Sequence, residues 1–206
     1  MGGERVEKEE ELVEGMQSAG ESDADEVEYD EHVWLSLKNA QILTAAIADT
    51  ISELDAEHRD EIVANSTAYT ARLAELDAAY DEMVSSARYD TLVFGDRFPF
   101  RYLVDDYGLN YYAAFSGCSA EAEASFETIL ILAEKVDAMS LPAVLQIEFS
   151  DGSIARSIRD ATTAGTQALL TVDSLQSVTA QKVNSTMTYL SAMQENLFVL
   201  QQALNG

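Results

Sequence analysis

Between Asp55 and Ala87 the chain contains no glycine and no proline. Its apolar positions there are Ile62, Tyr69, Leu73, Leu76, Tyr80, Met83 and Ala87. Successive spacings of three, four and seven put them on one stripe of a helix. Asp55 is suited to cap it, with Glu57 and Asp60 near the positive end of its dipole. A helix of about 32 residues would run about 48 Å, longer than a small lobe needs. It reads as a strut crossing between two parts of a structure.

The pattern changes on either side of that strut. Before it, residues 37–54 suit a shorter helix with Ser36 as cap. After it come four short apolar runs of strand length, "TLVF", "YYAAF", "AVLQIEF" and "ALLTV". Helical segments are predicted between them, near Arg97–Asp106, Ala120–Met139 and Ser153–Thr163. A last amphipathic helix is predicted over Thr179–Leu204, with Val183, Met187, Leu190, Met193, Leu197, Leu200 and Leu204 on its stripe. Strands alternating with helices imply an α/β fold with a four-stranded parallel sheet covered on both faces.

Charge divides the chain differently. Residues 1–31 hold 13 acidic and 2 basic side chains, a net of −11 out of −25 for the whole chain. That head reads as a solvated, disordered tail over residues 1–28. The expected order is then the tail, a segment over 29–54, the strut over 55–87, and an α/β lobe over 88–206. So acidic a chain is unsuited to nucleic acid or anionic membrane surfaces. Cys118 is the single cysteine, so an internal disulfide or thiolate cluster is excluded. No apolar run reaches the length of a membrane span, and the N-terminus lacks a signal pattern.

In open α/β sheets, ligands bind beyond the carboxyl ends of the strands. Asp96 and Arg97 follow the first run, Glu148 ends the third, and Asp173 ends the fourth. Three ends thus bring a carboxylate to one edge. Such residues also serve as helix caps, a role expected of Asp151 ahead of "GSIARSI". Glu148 and Asp173 lie at the ends of buried runs, where each needs a cation or hydrogen-bond donors. Arg97 could supply that cation in a structural salt bridge; a metal ion is the alternative. Ser116, Cys118 and Ser119 lack a histidine base in the lobe, because His32 and His58 both lie upstream. Hydrolase chemistry is therefore not expected. His58, among Glu57, Arg59 and Asp60, reads as part of a solvated face.

The segment "YDEHVWLSLKNA" resembles a D-x-H-x-W motif of the metal-binding solute receptors of bacterial zinc and manganese ABC importers, an adhesin-like lipoprotein family. "FRYLVDDYGLNYY", "AVLQIEFSDGSIARSI", "LLTVDSLQSVT" and "YLSAMQENLFVLQQAL" resemble further segments of that family in order. "FGDRFPFRYL" is similar to one of its branches. The resemblance implies two α/β lobes joined by a long helix, with the ion bound between them and no catalysis. It implies that most of a first lobe, with its own histidine ligand, would precede residue 1. His32 would be the second metal ligand, with Trp34 packed behind it, and Asp173 the fourth. The third position falls on Arg97, with Asp96 beside it; Glu148 could substitute or support. The implied cargo is zinc, alternatively manganese, or no metal in a chain so shortened. The implied partner is an ABC permease, served by an extracytoplasmic, membrane-anchored lipoprotein. A second expectation is a metal-free structural lobe, in which Arg97 locks the carboxylates and exposed surface drives homo-oligomerisation.

Overall fold

A computed structural model describes residues 8–17, 29–117, 123–180, 182 and 187–206. Two helices lead into the sheet. Helix α1 is Leu37–Leu54 and α2 is Arg59–Ser85. Ser36 caps α1, its hydroxyl accepting from the Asn39 N–H at 2.9 Å. The Asp55 carboxylate takes the His58 N–H and ring, so the chain turns there and α2 begins only at Arg59. The strut is therefore shorter than its sequence suggests, about 40 Å. It packs along α1, and Leu73, Leu76, Tyr80 and Met83 form its buried stripe.

Four parallel strands follow: β1 (Thr91–Phe98), β2 (Asn110–Ser116), β3 (Ala143–Ile147) and β4 (Ala168–Val172). Their order across the sheet is β2-β1-β3-β4. The connecting helices are α3 (Arg101–Tyr107), α4 (Phe126–Met139) and α5 (Ser153–Ala161), and α6 (Tyr189–Asn205) closes the chain. One core lies between the sheet and α2, α3 and α6, and a second between the sheet and α4 and α5. The runs of β1, β2 and β3 are largely buried because helices cover both faces there, whereas the edge strand β4 is buried only at Val172. Each leucine buried as fully as Leu73 or Leu132 contributes about 1.5–3 kcal/mol.

The differences from the expected elements have local causes. Helix α3 starts at Arg101 because Arg97 and Phe98 prolong β1. Phe98 stacks on Tyr111 with ring centroids 3.7 Å apart, and Phe94 stacks on Phe100 at 5.3 Å. A register shift between Phe94 and Arg97 accommodates this extension. Gly95 sits at the shift, where an added Cβ would lie 2.5 Å from the Ala155 Cα of α5. Helix α6 begins at Tyr189, with Thr188 as cap, so Met187 precedes it; Val183 lies outside the described residues.

The acidic head departs from a free tail over residues 8–17. Its backbone is tied down where its side chains need not be buried. The Asp30 N–H donates to Lys8 O and the Gln17 N–H to Ala114 O on the edge strand, each at 2.9 Å. Tyr111 Oη donates to Glu11 O at 3.2 Å. Arg101 and Lys135 pair with Glu11 and Glu14 at 3.0 and 2.6 Å, so basic groups of the lobe hold the acids outward. Val13 and Met16 pack on the core.

Candidate metal centre

His32 enters the site from a tight local turn. It precedes a turn of 3-10 helix at Val33–Leu35, and its own N–H donates to Asp30 Oδ1 at 2.8 Å. The same oxygen lies 2.9 Å from His32 Nδ1. Both residues are buried, His32 at 3% exposure and Asp30 at 4%. The Trp34 ring meets the imidazole edge-on at 5.3 Å, and its Nε1 donates to Ser174 O at 3.0 Å. On the other side Gly117, where β2 ends, comes so close that an added Cβ would meet His32 Cε1 at 3.1 Å. The ring is thereby fixed in position and tautomer: Nδ1 carries the proton toward Asp30 and Nε2 is left as the acceptor or ligand atom. Carboxylate-backed imidazoles of this kind are common at metal sites.

Nε2 points at the loop after β4. It accepts from the side-chain amide of Gln176 at 2.5 Å. Gln176 also lines a cleft of about 400 Å³ at the carboxyl edge of the sheet. Asp96, Arg97, Glu148, Asp151 and Ser174 border the same cleft. Parallel strands explain this gathering, since every strand end lies on one edge. A second cavity, about 420 Å³, shares Gln176 with it and is lined also by Trp34, but among the described residues its walls carry no imidazole or carboxylate.

Each carboxylate at this edge has donors. Glu148 accepts from the Ser174 N–H and hydroxyl, both at 2.7 Å. Asp96 accepts from the Arg97 N–H at 2.8 Å and the Ile147 N–H at 3.4 Å. The hydroxyl and N–H of Ser153 hold the Asp151 carboxyl below its usual range. Asp173 accepts from the Leu175 N–H at 2.9 Å and pairs with Lys182 Nζ at 2.5 Å. Its backbone is clamped at both ends by the Asn196 amide, at 2.8 Å each.

Arg97 corrects an expectation. Among the described residues no ion pair joins it to Glu148 or Asp173, and its Nε is buried without a hydrogen-bond partner. The cation on Asp173 is Lys182 instead. Phe98 is anchored in the opposite core, so its strand neighbour Arg97 is turned toward the α5 side, where Ser153 and Ile154 border the cleft.

The sequence-predicted site residues are therefore only partly assembled. Asp96, Arg97 and Glu148 share the cleft, and His32 reaches its edge through Gln176. Asp173 is turned to Lys182 and does not line that cleft. Among the described residues no three His, Cys, Asp or Glu side chains converge closely enough to enclose an ion. Asp30, Gln176, Lys182 and Asn196 were missed by sequence reasoning. Two of them carry a signal: Asp30 is the acid of the D-x-H-x-W segment, and Asn196 is a lone amide on the otherwise apolar stripe of α6, between Met193 and Leu200.

A parallel sheet lies between two helical layers, with a carboxylate-backed imidazole near its carboxyl edge, and the class of protein that carries this arrangement follows from the comparisons. Over residues 3–203 the chain matches the ZnuA family, described as zinc-uptake complex component A, periplasmic, and it belongs to that family. The family is one of metal-binding solute-binding proteins of ABC importers, not of enzymes. The chain is 32% identical over 175 residues to the zinc-binding lipoprotein AdcA of Streptococcus pneumoniae, covering 85% of this chain and 34% of AdcA. It is 26% identical to the high-affinity zinc uptake system protein ZnuA of Bacillus subtilis, covering 85% of this chain and 53% of that protein. The crystal structure of the Zn(II)-bound ZnuA-like domain of S. pneumoniae AdcA is 30% identical, with a TM-score of 0.71, covering 86% of this chain and 65% of that domain. The chain spans about a third of the length of the streptococcal curated relatives. Among the described residues, no helix is long and apolar enough to cross a membrane.

Proposed function

We propose that this chain takes part in zinc uptake as part of an extracytoplasmic receptor that carries the ion to an ABC permease. His32 supplies the nitrogen ligand, and Asp173 with Glu148 or Asp96 supplies oxygen. The observation that carries this reading is the placement of His32, whose Nδ1 lies 2.9 Å from the Asp30 carboxylate and whose Nε2 faces the loop after β4 at the edge of a carboxylate-bearing cleft. One nitrogen with carboxylate oxygens is a borderline-to-hard donor set, suited to Zn²⁺ and tolerant of Mn²⁺. Binding requires two exchanges: Gln176 must leave Nε2, and Lys182 must leave Asp173. The ion is then held between this lobe and the remainder of the receptor. Residues 29–54 belong to the first lobe in this reading, 55–87 to the link and 88–206 to the second lobe. Calorimetric titration with Zn²⁺ tests the ligand set. His32→Ala should abolish the heat of binding; tight binding that survives it sinks the assignment.

A second reading is favoured by one surface. Ile42, Leu43, Ile47, Ile51 and Leu54 are exposed along α1, Leu54 at 84%. Such an apolar face supports self-association of a metal-free lobe. Light scattering across a concentration series separates the two: a strict monomer removes this reading and leaves the receptor reading intact.

A further inference from the structure

The turn that carries His32 hangs from one face of α3. Tyr102 and Asp106 lie one helical turn apart and so share that face. Tyr102 Oη donates to Asp30 O at 2.8 Å, just before His32. Asp106 accepts from the Ser36 hydroxyl at 2.6 Å, just after it. The Tyr102 hydroxyl also accepts from the Lys8 N–H at 3.2 Å, and the Asp30 N–H donates to Lys8 O at 2.9 Å. Tyr102, Lys8 and Asp30 thus close a ring of hydrogen bonds, with Tyr102 and Asp30 both buried. A buried tyrosine hydroxyl needs a partner, but any nearby carbonyl would serve. This one takes the backbone of two segments, 72 and 94 residues away in sequence. One of them is the residue whose carboxylate meets both the His32 N–H and Nδ1.

We propose that Tyr102 is a positioning residue for His32, acting through Asp30. The hydroxyl fixes the Asp30 backbone, and Asp30 Oδ1 then fixes the imidazole. Helix α3 begins just after β1, so the ring keeps its aim relative to the sheet edge instead of following its own loop. What the oriented ring is used for rests on the receptor reading above; the orientation itself does not.

The test reads the imidazole directly, in the full chain and without metal. The chain has two histidines, and the exposed His58 serves as internal reference. Long-range ¹H–¹⁵N spectra, recorded where both rings are neutral, give the tautomer populations. His32 should be protonated at Nδ1 in the unmodified chain. Tyr102→Phe should shift its ratio toward Nε2 protonation by about two- to tenfold, the scale of one hydrogen bond. Tyr111→Phe is the control: it loses a bond to the same segment, at Glu11 O, but none to Asp30. Its His32 spectrum should match the parent. A His32 spectrum unchanged in Tyr102→Phe overturns the proposal. An equal shift in Tyr111→Phe, or a parent ring protonated at Nε2, overturns it as well. Should Tyr102→Phe fail to fold, amide exchange in the unmodified chain decides. The Asp30 and His32 N–H groups should exchange at least about tenfold more slowly than in an unfolded chain, and exchange at the unfolded rate overturns the proposal. Zn²⁺ titration is a separate arm: no binding by the unmodified chain removes the receptor reading and leaves the spectra to judge Tyr102.

Discussion

The amide of Gln176 holds the one imidazole nitrogen of His32 that is free to bind a metal, at 2.5 Å. Asp30 holds the other at 2.9 Å, so the ring is aligned for a ligand while an internal donor stands in the ligand's place. A hydrogen bond of this type is worth about 0.5–1.5 kcal/mol net. Gln176→Ala should therefore raise Zn²⁺ affinity by about two- to tenfold in calorimetric titration. An unchanged or weaker affinity means that Gln176 does not compete with the ion.

Lys182 stands to Asp173 as Gln176 stands to His32. Its ammonium lies 2.5 Å from Asp173 Oδ2 and 5.4 Å from the centroid of the Phe149 ring. Both partners retain solvent contact, the side chains being 27% and 21% exposed, so the pair contributes at most about 1 kcal/mol. Lys182→Met should tighten Zn²⁺ binding by about two- to fivefold. The gain should shrink with added salt, because screening already weakens the ion pair in the unmodified chain. Titrations at low and high ionic strength check both statements.

Periodicity made the sheet and its helices legible. "TLVF", "YYAAF" and "ALLTV" each lie within a strand and "AVLQIEF" forms one over Ala143–Ile147, because short runs rich in β-branched and aromatic residues favour strands. His32 was legible as a candidate site residue through the resemblance of its segment to a D-x-H-x-W motif, not through any spacing within this chain. What occupies it was not. Gln176 and Lys182 both follow β4 and reach their partners across 144 and 9 residues of chain respectively. No spacing rule describes a loop that folds back over a strand end. The start of α3 was misplaced for a related reason: Phe98 and Phe100 satisfy an aromatic cluster with Phe94 and Tyr111, and that tertiary packing draws Arg97 into β1. The 8–17 segment looked solvated by composition, yet backbone hydrogen bonds and two basic residues of the lobe hold it.

Gly95 is required by close approach rather than by a turn. A Cβ there would meet the Ala155 Cα at 2.5 Å and the Ala155 N at 2.7 Å, and backbone atoms of a packed helix cannot swing aside. Overpacking of this kind costs about 1–3 kcal/mol. At about 2–4 °C per kcal/mol for a domain of this size, Gly95→Ala should lower Tm by at least about 2 °C. Since α5 borders the cleft through Ser153 and Ile154, the same variant should also weaken Zn²⁺ binding. A variant with unchanged Tm would falsify the close-packing argument.

Asp106 predicts a pH signature distant from the cleft. Burial, the largest influence, raises its pKa above the usual 3.8; the hydroxyl of Ser36, donating to Oδ2 at 2.6 Å, and the Lys38 charge oppose the rise, while Asp77 and Asp105 add to it. The folded state thus binds this proton more tightly than the unfolded chain does. Its contribution favours folding at low pH and is lost as pH rises from about 3.8 through the folded-state value. Asp106→Asn removes the buried charge, and its side-chain oxygen can still accept from Ser36. The variant should be more stable than the parent at pH 7, and the difference should close as pH falls toward 3.8. Urea melts of both proteins at matched pH values measure that difference. A gap that stays constant across the range means that Asp106 is not ionised at a cost in the folded protein.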